Sequence, residues 1–201
     1  MASLTALGNR GRNIQKAFLG LGGSGVRAID RLLTALAPGH KFIAAAADQQ
    51  SLETSLAPVK ILLGPNTAQG YGCAGNPMIG RLCAEESLPD ILTALEGADT
   101  VTLLAGLGGG CGAGAILTVV KALWRLDNPP TVNAVVTRPW PFETGEMDLT
   151  AEVLADLPDF CQEVTVIDPG RASGSNLKTP LFRAKELGLA KLVQASVAET
   201  R

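Results

Sequence analysis

Glycine-rich turns are the feature of this sequence with the clearest chemical use. Residues 20–25 read Gly-Leu-Gly-Gly-Ser-Gly, and six of the nine residues from 106 to 114 are glycine. Each run follows an apolar segment and precedes a helical pattern. A turn without Cβ atoms lets backbone N–H groups approach an anion, and the following helix adds about half a positive charge at its amino terminus. The pattern therefore predicts two phosphate-binding turns, and neither carries the lysine of a Walker-type loop.

An acidic residue accompanies the first turn. This turn fits the spacing GxGxxG, and Asp48 lies 23 residues after Gly25, at the end of the next predicted strand. The combination is typical of a dinucleotide site, so an NAD-dependent oxidoreductase is one interpretation, and tight packing of helix on strand is another explanation for the glycines. A dinucleotide fold normally has one such turn, whereas a nucleoside triphosphate needs several backbone nests. The second turn therefore favours a nucleoside triphosphate.

Other candidate catalytic groups are sparse. Cys73, Cys83, Cys111 and Cys161 show no metal-ligand spacing, which indicates reduced thiols that serve as small packing residues. His40 follows Pro-Gly in a predicted turn, where we expect it to be exposed. The sequence thus predicts no metal cluster and no Ser/His/Asp or Cys/His nucleophile.

Composition sets the class of protein that must carry these turns. The chain has 201 residues, of which 46% are apolar and 18% charged, with a formal net charge of −2. One globular domain is expected. The absence of a basic excess argues against a nucleic-acid partner, and no apolar run approaches the ~20 residues that cross a bilayer, so we expect no membrane insertion and a cytoplasmic location.

Strands alternate with helices along the chain. Apolar runs predict strands over residues 14–19, 41–47, 59–63, 100–105, 131–137 and 163–167. Helical patterns lie between them, and one is continuous over residues 78–95. This order predicts an α/β, three-layer, Rossmann-like domain with a mostly parallel, doubly wound sheet. Such sheets bind ligands beyond the carboxyl ends of their strands, which is where both glycine turns and Asp48 fall.

The motifs together resemble the tubulin/FtsZ superfamily. Its signature is Gly-Gly-Gly-Thr-Gly, a small residue and Gly, and residues 108–114 read Gly-Gly-Gly-Cys-Gly-Ala-Gly. Residues 20–25 are similar to the first phosphate loop of the family, 42–48 to its second strand and acidic loop, and 70–87 to its third loop. The likeness is collinear from about residue 14 to 197 and is greatest to the amino-terminal GTPase domain of bacterial FtsZ.

The resemblance implies a guanine-nucleotide site for GTP or GDP, with Mg²⁺ held through phosphates and water. Glu143 would reach the ribose, Asp48 the terminal phosphate and its hydrated metal, and Arg27 would substitute as a phosphate ligand. The full set of implied nucleotide contacts is Gly22, Gly23, Ser24, Arg27, Asp48, Ala74, Gly75, Gly106, Gly108, Gly109, Gly110, Cys111, Gly112, Pro139 and Glu143. It includes no catalytic residue and no direct metal ligand.

Several positions depart from the family pattern. Val26 and Arg27 replace two asparagines, Cys111 replaces the signature threonine, and Met147 replaces an arginine that contacts nucleotide. The positions that read guanine in the family hold Pro169, Lys185 and Leu189. These departures leave the base selectivity open. They also support an alternative in which the chain is a degenerate, non-catalytic scaffold or regulator that acts through a protein partner.

The predicted domain plan is a flexible tail over residues 1–13, the nucleotide-binding domain over 14–178 and a core helix over 179–201. In the family, a loop after this helix presents a catalytic acid to the nucleotide of the next subunit, and a second domain follows. Neither is expected here, so GTP hydrolysis should be weak or absent. Apolar residues surround most of the core helix, which predicts that a second copy or an FtsZ-like partner covers it.

Overall fold

Helices and strands alternate through the residues that the computed structural model describes, 15–36, 39–139 and 147–168. The strands are β1 (Lys16–Leu21), β2 (Lys41–Ala46), β3 (Val59–Leu62), β4 (Thr100–Gly106), β5 (Thr131–Thr137) and β6 (Glu163–Ile167). The helices are α1 (Gly22–Leu33), α2 (Gln49–Glu53), α3 (Pro77–Glu86), α4 (Leu88–Leu95), α5 (Gly110–Trp124) and α6 (Met147–Asp156), and a 3-10 turn follows at Leu157–Asp159.

The strands form one sheet in the order β3-β2-β1-β4-β5-β6. Every pair of neighbouring strands is parallel; in β1, for example, Leu19 is level with Ile43 of β2 and Leu103 of β4. The predicted α/β, doubly wound fold class is confirmed, and within the described residues the sheet is entirely parallel. The order places β1 and β4 side by side at the centre, so the turns that follow them share one edge.

Helices cover both faces of the sheet, which makes three layers. Along β1, the buried Phe18 packs with α1 on one face, and its neighbours Leu19 and Leu21 pack on the opposite face with α3 and α5. Side chains of a strand point alternately to the two faces, so a strand buried on both sides must be apolar throughout. The uninterrupted apolar runs of the sequence have this origin.

Two predicted boundaries were wrong in an informative way. The helix expected over residues 78–95 is divided into α3 and α4 at Ser87. Pro89 lies in the first turn of α4 and has no backbone N–H to donate to the preceding turn, so a helix can begin at this proline but cannot run through it. The strand expected to end at residue 19 continues to Leu21, and α1 begins at the next residue. The first glycine turn is therefore a direct junction of strand and helix.

His40 was expected to be exposed but is partly buried. Its ring packs edge-on against Phe18, with 5.7 Å between the ring centroids. The predicted tail 1–13 and core helix 179–201 lie outside the described residues. Among the described helices, none has both the length and the apolar character needed to cross a membrane.

Candidate phosphate-binding site

A cavity of about 180 Å³ lies at the carboxyl ends of β1 and β4. Three chain segments form it: the junction of β1 with α1, the turn between β4 and α5, and the loop that leads into α3. Its lining residues are Leu21, Gly22, Gly23, Ser24, Cys73, Gly75, Gly106, Gly109, Gly110, Cys111 and Gly112. Both glycine-rich turns therefore contribute to a single site, at the edge of the sheet predicted from the sequence.

The glycines of the first turn have different tasks. A Cβ on Gly20 or Gly25 would collide with the backbone of the adjoining strand or helix, so these two allow α1 to pack closely on the sheet. Gly22 has φ +70°, and a Cβ there would lie 2.9 Å from the backbone nitrogen of Gly112. Gly23 is less confined, since its Cβ would come only to 3.4 Å from a guanidinium nitrogen of Arg27. Close packing thus explains the two outer glycines of GxGxxG.

The second turn shows the same division of roles. A Cβ on Gly110 would lie 2.5 Å from the backbone nitrogen of Asn76, and one on Gly112 would lie 2.7 Å from the carbonyl oxygen of Gly106. Gly114 packs against the backbone of α3, so it serves the contact between two helices. By contrast, a Cβ on Gly109 would meet nothing within 4 Å. Most of these glycines therefore allow backbone segments to pack closely on one another, whereas Gly109 borders open space at the cavity.

Two helix amino termini point into this cavity. α1 has 12 residues and α5 has 15, and neither has an acidic residue in its first turn. Within the described part of the chain, no side chain caps either helix. Two of the shorter helices differ, since Asp48 caps α2 and Asn76 caps α3. The first N–H groups of a helix lack intrahelical acceptors and carry about half a positive charge. The cavity is therefore suited to an anion.

The loop before α3 forms the third wall. Gly75 lines the cavity, and Asn76 accepts a hydrogen bond from the backbone N–H of Met78 at 2.9 Å, which fixes the start of α3. Ala74 has φ +48°, a conformation that costs energy for a residue other than glycine. Its side chain is exposed and does not line the cavity.

The predicted contacts fall into three groups. Those that line the cavity are Gly22, Gly23, Ser24, Gly75, Gly106, Gly109, Gly110, Cys111 and Gly112. Those that the structure describes but does not place in the lining are Arg27, Asp48, Ala74, Gly108 and Pro139. Glu143 lies outside the described residues. Their roles in binding stay predictions. Leu21 and Cys73 also line the cavity and were not predicted, because their neighbourhood depends on how the strands and loops assemble.

Asp48 and Arg27 lie close to the cavity with other contacts. The Asp48 carboxylate accepts hydrogen bonds from the Ser51 hydroxyl at 2.6 Å and from the backbone N–H groups of Gln50 and Ser51 at 3.1 and 3.3 Å. It thus caps α2, a helix that the sequence analysis missed. The Arg27 guanidinium lies beside Gly23 in the first turn of α1. Arg27 therefore adds positive charge near the cavity, and Asp48 adds negative charge.

Three of the cysteines are neighbours. Cys73 and Cys111 line the same cavity and influence each other's ionisation, and Cys83 of α3 influences that of Cys73. The hydrogen bond from Cys73 lowers the pKa of Cys111, and the same pairing raises the pKa of Cys73. Burial raises the pKa of Cys83 to about 11. Residue spacing does not predict this cluster, because Cys111 lies 28 residues beyond Cys83 and no motif links the three cysteines.

Comparison with known proteins identifies the family. A sequence model described as the Tubulin/FtsZ family, GTPase domain, matches residues 16–171. The chain belongs to this family. The FtsZ cell division protein of Rickettsia felis is 40% identical over 152 residues, which are 74% of this chain and 32% of that protein. FtsZ 2 of Methanocaldococcus jannaschii is 37% identical over 150 residues, 75% of this chain and 39% of that protein.

Solved structures share the fold of this chain. The empty FtsZ dimer of M. jannaschii superposes with a TM-score of 0.83 at 30% identity, over 90% of this chain and 54% of that one. CetZ2 from Haloferax volcanii, in a GTPγS-bound protofilament, gives a TM-score of 0.79 at 20% identity over 92% of this chain and 58% of that one, and shows the fold alone.

Membership of the family favours the tubulin/FtsZ resemblance over the interpretation as an NAD-dependent oxidoreductase. The observed strand order is also that of dinucleotide-binding folds, so topology alone does not separate the two. The family match does, and the resemblance inferred from the glycine signature is confirmed. The chain spans about a third of the length of these curated relatives.

Proposed function

We propose that this chain binds GTP or GDP by its phosphates in the cavity between β1 and β4. The observation that carries the proposal is the convergence of two uncapped helix amino termini on one cavity lined mainly by glycine. Such termini hold phosphate oxygens through backbone N–H groups and the helix dipole, without a lysine. The family name, a GTPase domain, supports a guanine nucleotide as the occupant.

The size of the cavity indicates which part of the nucleotide it takes. At about 180 Å³ it is smaller than the roughly 300–1,000 Å³ of pockets that enclose a whole small ligand. We therefore assign it to the phosphates. The ribose and base would extend beyond it, and we propose Glu143, which lies outside the described residues, as the acceptor for the ribose hydroxyls.

A magnesium ion fits this site only if phosphate oxygens coordinate it. The described residues contain no group of three or more His, Cys, Asp or Glu side chains that could hold a metal. Asp48 offers hard carboxylate oxygens of the kind Mg²⁺ prefers, and it lies near Cys111 at the cavity wall. We propose that Mg²⁺ is held by phosphate oxygens and water, with Asp48 accepting hydrogen bonds from that water.

Hydrolysis should be slow by this site alone. Among the described residues, the cavity lining includes no carboxylate and no histidine that could activate water. A group from elsewhere, such as a second copy, would have to supply that function. The relatives include an FtsZ dimer and a CetZ2 protofilament. They support our proposal that this chain also forms homo-oligomers or contacts an FtsZ-like protein, with the segment 179–201 covered in the contact.

Thermal unfolding with different nucleotides tests the binding proposal. The chain is melted with GTP, GDP, ATP or NAD, each with Mg²⁺. A ligand at 100 times its dissociation constant stabilises the fold by about 2.7 kcal/mol. We expect GTP and GDP to raise the melting temperature more than ATP or NAD. Equal melting curves in all four would instead favour the non-catalytic scaffold.

A variant at Gly109 locates the site. Gly109→Val adds a side chain where nothing lies within 4 Å, and its backbone, with φ −141° and ψ 141°, accepts any residue. The unliganded protein should therefore stay folded and lose at most about 1 kcal/mol, because Val is a poorer helix cap than Gly, while the response to GTP disappears. A retained response would show that the nucleotide binds elsewhere. Phosphate release measured against protein concentration then separates a binder from an enzyme assembled between subunits.

A further inference from the structure

Cys73 and Cys111 both lie in the wall of the cavity. Cys111 is in the first turn of α5, and Cys73 is in the loop before α3; both line the same cavity of about 180 Å³, and their thiols are close enough to influence each other's ionisation. Cys83 is fully buried behind Cys73, next to Gly64. Cys111 is only partly buried, so a small reagent that enters the cavity reaches it first.

The surroundings of Cys111 favour its thiolate. The thiolate accepts hydrogen bonds from the Cys73 thiol and from the backbone N–H of Ala47, and the amino terminus of α5 adds positive potential. Burial and the nearby groups of Cys83 and Asp48 act in the opposite direction, but the hydrogen bond from Cys73 is the largest contribution and the pKa of Cys111 is lowered. Cys73 keeps its proton as the donor, and its pKa is raised.

We propose that Cys111 and Cys73 are a peroxide-reactive dithiol, in which Cys111 is the attacking thiol and Cys73 resolves the product into an intramolecular disulfide. The Cys111 thiolate attacks one oxygen of hydrogen peroxide, breaks the O–O bond and becomes a sulfenic acid, and the departing hydroxide takes up a proton to form water. The Cys73 sulfur then attacks the sulfenic sulfur, loses its proton and releases a second water. Two thiols and one peroxide thus give one disulfide and two waters.

The reaction requires little rearrangement of the chain. A disulfide brings its sulfur atoms to about 2 Å, and these two thiols line the same small cavity and are close enough to influence each other's pKa. The product would tie the loop at residues 72–76 to the first turn of α5 across the cavity. The proposal concerns the thiols of the unliganded chain, and it holds or fails independently of nucleotide binding.

Differences in thiolate content predict the relative rate. Burial raises the pKa of Cys161 to about 11, whereas that of Cys111 lies below the ordinary 9.0. Near neutral pH the thiolate form is therefore more populated on Cys111 than on Cys161. The weaker nucleophilicity of the more acidic thiolate reduces this advantage without reversing it, so Cys111 should be oxidised before Cys161.

Peroxide treatment followed by peptide mapping tests the proposal. The reduced full chain, without nucleotide, is exposed to hydrogen peroxide, and remaining thiols are alkylated. We expect a disulfide that joins the peptides of Cys73 and Cys111, with Cys83 and Cys161 still alkylated. Cys73→Ser should stop at a sulfenic acid on Cys111 that dimedone traps. Cys161→Ser is the matched control and should react as the wild type does.

Three results would overturn the proposal. They are a disulfide between Cys73 and Cys83, oxidation of Cys161 as fast as that of Cys111, or four free thiols after a peroxide dose that oxidises a small-molecule dithiol. Each of these is read from the wild-type chain, so the conclusion does not depend on whether a variant folds.

Discussion

An aspartate at Gly109 should stabilise the fold and weaken nucleotide binding at the same time. Gly109 is the residue before α5, its backbone is extended, and a Cβ there meets nothing within 4 Å. An Asp in this position can accept hydrogen bonds from the first N–H groups of the helix. Those are the same groups that we assign to the phosphates.

The two effects have opposite signs and can be estimated separately. Replacing Gly by Asp as a helix cap gains a few tenths of a kcal/mol, and a negative charge at the helix terminus adds about 0.3–1 kcal/mol. The unliganded protein should then melt about 1–4 °C higher. A carboxylate about 4 Å from a phosphate charge costs about 1 kcal/mol in water and about 4 kcal/mol near a protein surface. Affinity for GTP should fall by between about fivefold and about a thousandfold.

Melting curves and equilibrium binding on the same preparations measure both quantities. Gly109→Asn is the matched control, since it has the same shape and also caps the helix but carries no charge; it should lose less affinity than Gly109→Asp. The reasoning is refuted if Gly109→Asp binds GTP within twofold of the wild type, or if its unliganded form melts several degrees lower.

Two further predictions concern the fold that supports the site. Gly114→Ala should destabilise the protein by about 1–3 kcal/mol, because the new methyl group collides with the backbone of Pro77 and separates α3 from α5; urea unfolding measures this. Glu86→Gln should remove a pH-dependent contribution to stability. Hydrogen bonds from the Thr67 hydroxyl and the Asn66 backbone N–H, at 2.7 and 2.9 Å, lower the pKa of Glu86 from 4.5 to about 2. This stabilisation is complete above pH about 4.5 and is lost as the pH falls through about 2, so wild type and variant should converge there.

Each of these has a control in the chain. Gly109→Ala adds the same methyl group in open space at the residue before α5, so it should cost only the capping difference between Gly and Ala, which is smaller than the cost of Gly114→Ala. A destabilisation as large as that of Gly114→Ala would contradict the packing argument. Glu85 is the neighbour of Glu86 and pairs with Arg81 at 2.9 Å on the exposed side of α3. If Glu85→Gln reproduced the acid dependence of Glu86→Gln, the hydrogen bonds to Glu86 would not be its cause.

The sequence alone was sufficient for the sheet and for the edge that carries the site. A strand buried on both faces must be apolar throughout, and a turn that brings a strand directly into a helix must contain glycine where backbones approach. Both requirements are local, so the strands, the two turns and the family signature could be read directly. The division between α3 and α4 also has a local cause, Pro89, so it could have been predicted from the sequence.

Only the tertiary structure decided which residues share the cavity and which glycines serve it. Glycines that look alike in the sequence have different surroundings. A Cβ at Gly20, Gly25 or Gly114 would collide with a neighbouring strand or helix, whereas a Cβ at Gly109 would lie in open space. Asp48 caps α2, and Cys73 meets Cys111 across 37 intervening residues. Contacts between segments distant in the chain depend on how helices and strands pack, and a linear pattern does not record those distances.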